Sequence, residues 1–167
     1  MKLTLRDIEG VETLSYSAGS SNDATSAIDF RLTRLISYEE TFDSAKRAPS
    51  AGVSKFLFLS SCSVYVRSPS VRISESSQII PLTFYSKSKL NTEKKLITWE
   101  STDSIAYILR QPTVFGMSQN FRVDLVLNGL IVRSVIENKL RLYSRGLEVW
   151  SFVSLNNLCA VVGFFAG

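Results

Sequence analysis

Apolar runs and stretches with a helical period alternate along this chain of 167 residues. Residues 53–60 carry almost no polar side chain after Lys55, which predicts a parallel strand buried on both faces. Residues 30–48 place their apolar side chains at helical spacing, and a second helix is predicted over residues 84–99. This alternation of strands and helices predicts an α/β fold built on a parallel sheet.

The rest of the chain continues the alternation. The pattern predicts short strands at residues 11–16, 139–143 and 149–153, a strand at 103–109, a loop at 111–120, a helix at 121–138 and a last helix from residue 155. Residues 158–167 are apolar apart from their glycines, but this stretch is too short to cross a bilayer, so a buried helix is expected. Because no repeat or linker divides the chain, we expect one domain.

Composition narrows the function classes. The net charge of +4 comes from scattered cations, and without a recognition motif we expect an ordinary solvated surface and no nucleic-acid partner. The absence of histidine excludes His-based triads and His metal ligands, and Cys62 and Cys159 form no CxxC pair, so no metal site is expected. The N-terminus has no apolar signal core, so we expect a cytoplasmic protein without a membrane partner.

Ser61, Tyr85 and Lys89 stand in an order that suits hydride transfer at a carbinol or carbonyl. Ser61 follows the apolar strand, where ligands bind in parallel sheets, and can donate to a substrate oxygen. Tyr85 and Lys89 share one helix face at i and i+4, so the ammonium can lower the pKa of a phenol that ordinarily lies near about 10. A structural alternative stays open, with Tyr85 a half-buried helix residue and Lys89 a solvated lysine.

Three segments carry a resemblance to a known family. They are Leu-Ser-Ser-Cys-Ser-Val-Tyr at residues 59–65, Pro-Leu-Thr-Phe-Tyr-Ser-Lys-Ser-Lys at 81–89 and Leu-Arg-Gln-Pro-Thr-Val-Phe-Gly at 109–116. Together they resemble the extended short-chain dehydrogenase/reductases, within these the NAD-dependent epimerase/dehydratase family that acts on nucleotide sugars. The resemblance implies a Rossmann-like parallel sheet with flanking helices, NAD as cofactor and a nucleotide-sugar substrate.

The resemblance also implies roles for particular residues. By it, Ser61, Tyr85 and Lys89 are the catalytic trio, and Tyr85, Lys89 and Val114 lie at the cofactor. Ser63 and Asn128 are implied at the substrate, in a substrate-binding region that starts near residue 111.

The sequence departs from the family pattern in several places. It contains no GxxGxxG or GxGxxG motif, so the expected sheet lacks the first strands and the glycine-rich turn, and the chain is expected to start near the family's third strand, at residues 5–8. Ser37 stands for a usual asparagine, Val66 for a glycine, and Trp150-Ser151 for Arg-Pro.

Two functions therefore stay open. One is an NAD-dependent epimerase or dehydratase that is impaired in this chain, and the other is an inactive remnant or protein-interaction module without cofactor. The open sheet edge at residues 11–16 further predicts aggregation or a homodimer.

Overall fold

The computed structural model describes residues 3–18, 31, 35–65, 72–142, 145–146 and 149–167. The first part of the helix expected at 30–48, the side chain of Ser37, Val66 and the end of the strand expected at 139–143 lie outside the described residues. The elements, in chain order, are β1 (Thr13–Tyr16), a π-helical segment (Leu35–Glu39), α1 (Glu40–Arg47), β2 (Lys55–Ser61), α2 (Phe84–Ile97), β3 (Ile105–Gln111), β4 (Thr113–Phe115), α3 (Val126–Glu137), β5 (Phe152–Ser154) and α4 (Leu155–Ala166).

The centre of the molecule is a parallel sheet in the order β1-β2-β3. The predicted α/β fold, Rossmann-like with flanking helices, is confirmed. The middle strand β2 is buried from Phe56 to Ser60, as its uninterrupted apolar run predicts. The main hydrophobic core contains side chains of β2, of α1 and α2, and of the segments next to them. Its buried members are Ile8, Ala45, Ala48, Val53, Phe56, Phe58 and Leu96.

Helix α2 begins at Phe84 because a capping box precedes it. The Thr83 side chain accepts from the Ser86 backbone N–H at 3.1 Å, and the Ser86 side chain accepts from the Thr83 N–H at 3.0 Å. These two bonds satisfy backbone donors that the first turn of a helix leaves without intrahelical partners. The cap therefore fixes where the helix that carries Tyr85 and Lys89 starts.

Five expectations about the elements are wrong. Residues 5–8 form a 3₁₀ turn (Leu5–Ile8) rather than a strand. The loop expected at 111–120 contains β4, which follows Pro112 and pairs in parallel with the distant β5. The expected helix at 121–138 begins only at Val126.

The other two errors concern the C-terminal part. Lys139 to Leu142 form no strand, although Leu140 and Leu142 alternate with charged residues, and their side chains are exposed. Helix α4 is present but has no buried residue, since it packs on the sheet with one side only, through contacts such as that between the rings of Phe165 and Tyr107.

Candidate functional site

Ser61 is the last residue of β2 and caps a 3₁₀ turn at Cys62–Val64. Its side-chain oxygen accepts from the Ser63 backbone N–H at 3.2 Å, which turns the chain away from the sheet. Because the oxygen is the acceptor in this bond, the O–H proton of Ser61 is not used by it. The parallel register sets Ser61 beside Gln111, at the carboxyl ends of β2 and β3. Ser63 itself is exposed in the turn.

Lys89 connects the helix to the strand that carries Ser61. Its ammonium donates to the Leu59 carbonyl at 2.7 Å, two residues before Ser61. The same nitrogen lies 5.9 Å from the centre of the Tyr85 ring and 4.7 Å from that of Phe58. Only 4% of Lys89 is exposed, so the alternative of a solvated lysine is wrong, whereas Tyr85 is half-buried.

The buried position changes the acidity of Lys89. Burial lowers the pKa of its ammonium from 10.5 to about 8, and the nearby carboxylate of Glu93 opposes this shift. Lys89 therefore stays mainly protonated at neutral pH, although less firmly than a solvated lysine.

A buried polar network joins the helix that carries Lys89 to β2 and β3, and the sequence analysis did not include it. The Glu93 carboxylate accepts a hydrogen bond from the Ser60 hydroxyl. It also accepts three hydrogen bonds from the Arg110 guanidinium of β3, with N–O distances of 3.1, 3.0 and 2.6 Å. Arg110 also donates to the Tyr65 hydroxyl at 2.6 Å. Hydrogen bonds to Glu93 are the main reason that the pKa of Arg110 is raised. The position of Glu93, one helical turn after Lys89, is the signal that could have found it.

The residues expected at the cofactor and substrate from 111 onward form a second group. Val114 lies in the middle of β4, opposite Val153. Asn128 is buried at the start of α3, where its oxygen accepts from the Gly116 N–H at 3.3 Å and its amide donates to the Arg122 carbonyl at 3.0 Å. These bonds tie the loop between β4 and α3 to the helix. The substrate role of Asn128 stays a prediction.

Arg122, in that loop, is a further residue that the sequence reading missed. It forms an ion pair with Asp124, whose hydrogen bond is the main reason that the pKa of Arg122 is raised. Tyr85 makes the smallest contribution to the same increase in the Arg122 pKa.

The described ranges contain no group of three or more His, Cys, Asp or Glu side chains that could hold a metal ion. None of the helices formed by the described part of the chain combines the length and apolar character needed to span a membrane.

Comparisons with known proteins agree with this architecture. The sequence model of the NAD dependent epimerase/dehydratase family matches residues 7–166. No curated protein matches the chain.

Solved structures similar to this chain include MoeE5 in complex with UDP-glucose and NAD (TM-score 0.82, 22% identity, covering 98% of this chain and 55% of that one). Another is TunA, an NAD-dependent NDP-hexosamine 5,6-dehydratase involved in tunicamycin biosynthesis (TM-score 0.85, 20% identity, 99% and 54%). A third is the UDP-glucuronic acid 4-epimerase of Bacillus cereus with UDP-glucuronic acid and NAD (TM-score 0.80, 23% identity, 96% and 51%). At these identities the likeness shows the fold, and the chain spans about half the length of these proteins.

Proposed function

Because the chain belongs to the NAD-dependent epimerase/dehydratase family, we propose that it acts on a nucleotide sugar by hydride transfer at a sugar carbinol. MoeE5 and the Bacillus cereus epimerase were solved with NAD and with UDP-linked sugars, which supports this substrate class. The proposal treats the chain as one partial domain whose substrate-binding region starts near residue 111. Since the chain spans about half the length of these relatives, we propose that its activity by itself is impaired.

The observation that carries the proposal is the burial of Lys89. Lys89 is almost fully removed from water, so its ammonium loses hydration energy. On the outer face of the same helix a lysine would keep that hydration. Here the Lys89 ammonium lies 5.9 Å from the centre of the Tyr85 ring and donates a hydrogen bond to the strand that ends in Ser61. Charged groups held in this way cluster at functional sites.

The residues present fit one end of NAD. An ammonium has three N–H donors, and the bond to Leu59 uses one of them, so Lys89 is suited to donate to a ribose hydroxyl. Tyr85 and Val114 complete the set that we assign to the nicotinamide end. The sequence has no glycine-rich turn to bind the pyrophosphate through backbone N–H groups, so we expect this chain to bind NAD weakly.

The proposed mechanism divides the chemistry among three side chains. NAD, when bound, supplies the acceptor for the hydride. Ser61 donates a hydrogen bond to the carbinol oxygen and holds it in place, and the Tyr85 phenolate takes the hydroxyl proton as the carbon loses its hydride. Lys89 stabilises the phenolate by its charge. Ser63 and Asn128 orient the sugar nucleotide.

A second candidate is a non-catalytic role, either as a remnant or as a protein-interaction module without cofactor. The missing glycine-rich motif favours it. We also propose that the chain forms a homodimer and that it works in the cytosol, where the free thiols of Cys62 and Cys159 stay reduced.

The test follows NADH absorbance and conversion of UDP-glucose or UDP-glucuronic acid, with this chain and with its fusion to the strand, glycine turn and helix of a solved relative. We expect Tyr85→Phe to lower turnover by about 10²-fold or more, because phenylalanine keeps the ring but cannot transfer a proton. Calorimetric titration of this chain by itself should give an NAD affinity weaker than micromolar.

Tyr107→Phe is the matched control, because Tyr107 is a half-buried tyrosine on β3 whose ring packs against that of Phe165 on α4. It should retain the activity. Equal turnover by Tyr85→Phe and the native protein would rule out the proton-transfer role. A lack of turnover in both the chain and the fusion would favour the non-catalytic candidate.

A further inference from the structure

Glu93 is a buried carboxylate at the junction of three elements. Its side chain is 1% exposed, it lies on α2 one turn after Lys89, and it accepts hydrogen bonds from Ser60 of β2 and Arg110 of β3. Through Arg110 the network reaches the Tyr65 hydroxyl, beyond the turn that follows Ser61. One carboxylate thus joins the helix that carries Tyr85 and Lys89 to the strand that carries Ser61.

We propose that Glu93 is a positioning residue for the Ser61, Tyr85 and Lys89 site: it supplies the negative charge beside Lys89 and locks the end of β2 onto α2. This inference rests on the proposed function, because it assigns Glu93 a task in that site. Glu93 touches no reacting atom in this proposal and acts through Lys89 and through the strand end.

The electrostatic part follows from the charges around Lys89. Burial disfavours its ammonium form, and the Glu93 carboxylate opposes that effect. The other charged or titratable groups on the packed elements are Tyr85, Lys87, Lys94 and Lys95 on α2 itself, Lys55 on β2, Tyr107 and Arg110 on β3, Cys62 in the turn after β2, and Glu40, Asp43, Lys46 and Arg47 on α1. Arg110 is paired with Glu93, and the acidic residues Glu40 and Asp43 have cationic partners in Arg47 and Lys46. Of these groups, Glu93 is the one whose carboxylate raises the Lys89 pKa, against the larger effect of burial.

The geometric part follows from the donors that Glu93 accepts. The Arg110 guanidinium spans both carboxylate oxygens, and the Ser60 hydroxyl adds a third donor. A glutamine at this position has the same shape, but its NH₂ group would face the Arg110 donors. Only a carboxylate can accept all of these bonds together.

The experiment titrates the whole chain, labelled with ¹³C at the lysine ε-carbons, and follows the pKa of Lys89 by NMR. In Glu93→Gln we expect this pKa to fall, because the carboxylate that opposes the effect of burial is removed. Glu100→Gln is the matched control: Glu100 is exposed just beyond the same helix, and its loss should leave Lys89 unchanged. Glu93→Asp, which keeps the charge, should restore most of the native value. An unchanged Lys89 pKa in folded Glu93→Gln overturns the proposal.

A second variant guards against failure to fold, since Glu93→Gln leaves Arg110 without its partner. Glu93→Gln with Arg110→Gln removes both charges, and because the lost Arg110 cation acts in the opposite direction, we expect a smaller fall in the Lys89 pKa than in Glu93→Gln alone. A native Lys89 pKa in this double variant would equally overturn the proposal.

The titration needs neither NAD nor turnover, so it separates the two hypotheses. Inactivity of both the chain and its fusion, together with a Lys89 pKa that depends on Glu93, contradicts the proposed function and leaves the Glu93–Lys89 coupling intact. Where turnover is measurable, the alkaline limb of the kcat profile should move to lower pH in Glu93→Gln. A fixed alkaline limb would contradict a task in the site.

Discussion

Lys89 holds a positive charge where water is almost excluded. Lowering its pKa from 10.5 to about 8 corresponds to roughly 3 kcal/mol of lost stability for the charged form, at about 1.4 kcal/mol per unit. The bond to the Leu59 carbonyl and the neighbouring rings of Phe58 and Tyr85 partly compensate the lost hydration. The chain thus retains a costly charge beside Tyr85, as expected of a residue kept for its chemistry.

The stability of the protein should therefore depend on pH through Lys89. Because the folded pKa is lower than the unfolded one, the unfolded state binds more protons between pH 8 and 10.5, and stability rises with pH across that window. We expect the difference in free energy of unfolding, native minus Lys89→Met, to increase by about 3 kcal/mol from the bottom of the window to the top. Denaturant titrations at several pH values measure it. A flat or falling difference would show that folding does not lower the pKa of Lys89.

At the scale of elements, α3 lies so close to the preceding loop that one position accepts only glycine. A Cβ on Gly129 would lie 2.5 Å from the Val123 carbonyl oxygen, which is backbone and cannot move aside easily. The Gly129 N–H donates to the Leu125 carbonyl at 2.8 Å, and this hydrogen bond begins the helix. The preceding residue, Asn128, donates a side-chain hydrogen bond to the Arg122 carbonyl and so holds the loop in place.

Gly129→Ala should lower the free energy of unfolding by about 1–3 kcal/mol, the usual effect of forcing atoms into a filled space. Gly163→Ala in α4 is the matched control, since a Cβ there meets nothing within 4 Å. It should raise the stability by up to about 1 kcal/mol, because alanine favours helix more than glycine does. Denaturant unfolding of both variants checks the pair, and equal effects would contradict the close approach.

At the scale of the whole molecule, the sheet has an open side. Within the described ranges β1 pairs only with β2, so its other edge presents unpaired N–H and C=O groups. Helix α4 contacts β1 and exposes apolar side chains, with Phe164 80% exposed. Strand edges and apolar faces of this kind favour self-association.

The untagged chain should therefore behave as a dimer in size-exclusion chromatography with light scattering. Phe164→Ser should shift it towards the monomer, because the change removes apolar surface next to the edge of β1. Met117→Ser is the control, since Met117 is 81% exposed but lies in the loop after β4. A soluble monomer at every concentration would contradict the homodimer, and an equal shift in both variants would place the interface elsewhere.

The periodicity of the sequence was sufficient to predict the elements that depend on local pattern. The apolar run of β2 and the helical stretch of α2 were predicted because burial on both faces and a 3.6-residue period leave direct marks in the chain. The order of Ser61, Tyr85 and Lys89 likewise identified the candidate site, since their separation follows from one strand, one loop and one helix.

Long-range packing decided the rest. Three interactions join residues that lie far apart in sequence. They are the pairing of β4 with β5, the hydrogen bond from Lys89 to Leu59, and the ion pair of Arg110 with Glu93. A local pattern shows which face of an element is apolar, but not which distant group will meet a polar atom on it. The sequence by itself therefore determined the central strand and helix of the core and the candidate side chains on them, whereas only the tertiary structure decided that Lys89 is buried and which distant groups the Glu93 carboxylate binds.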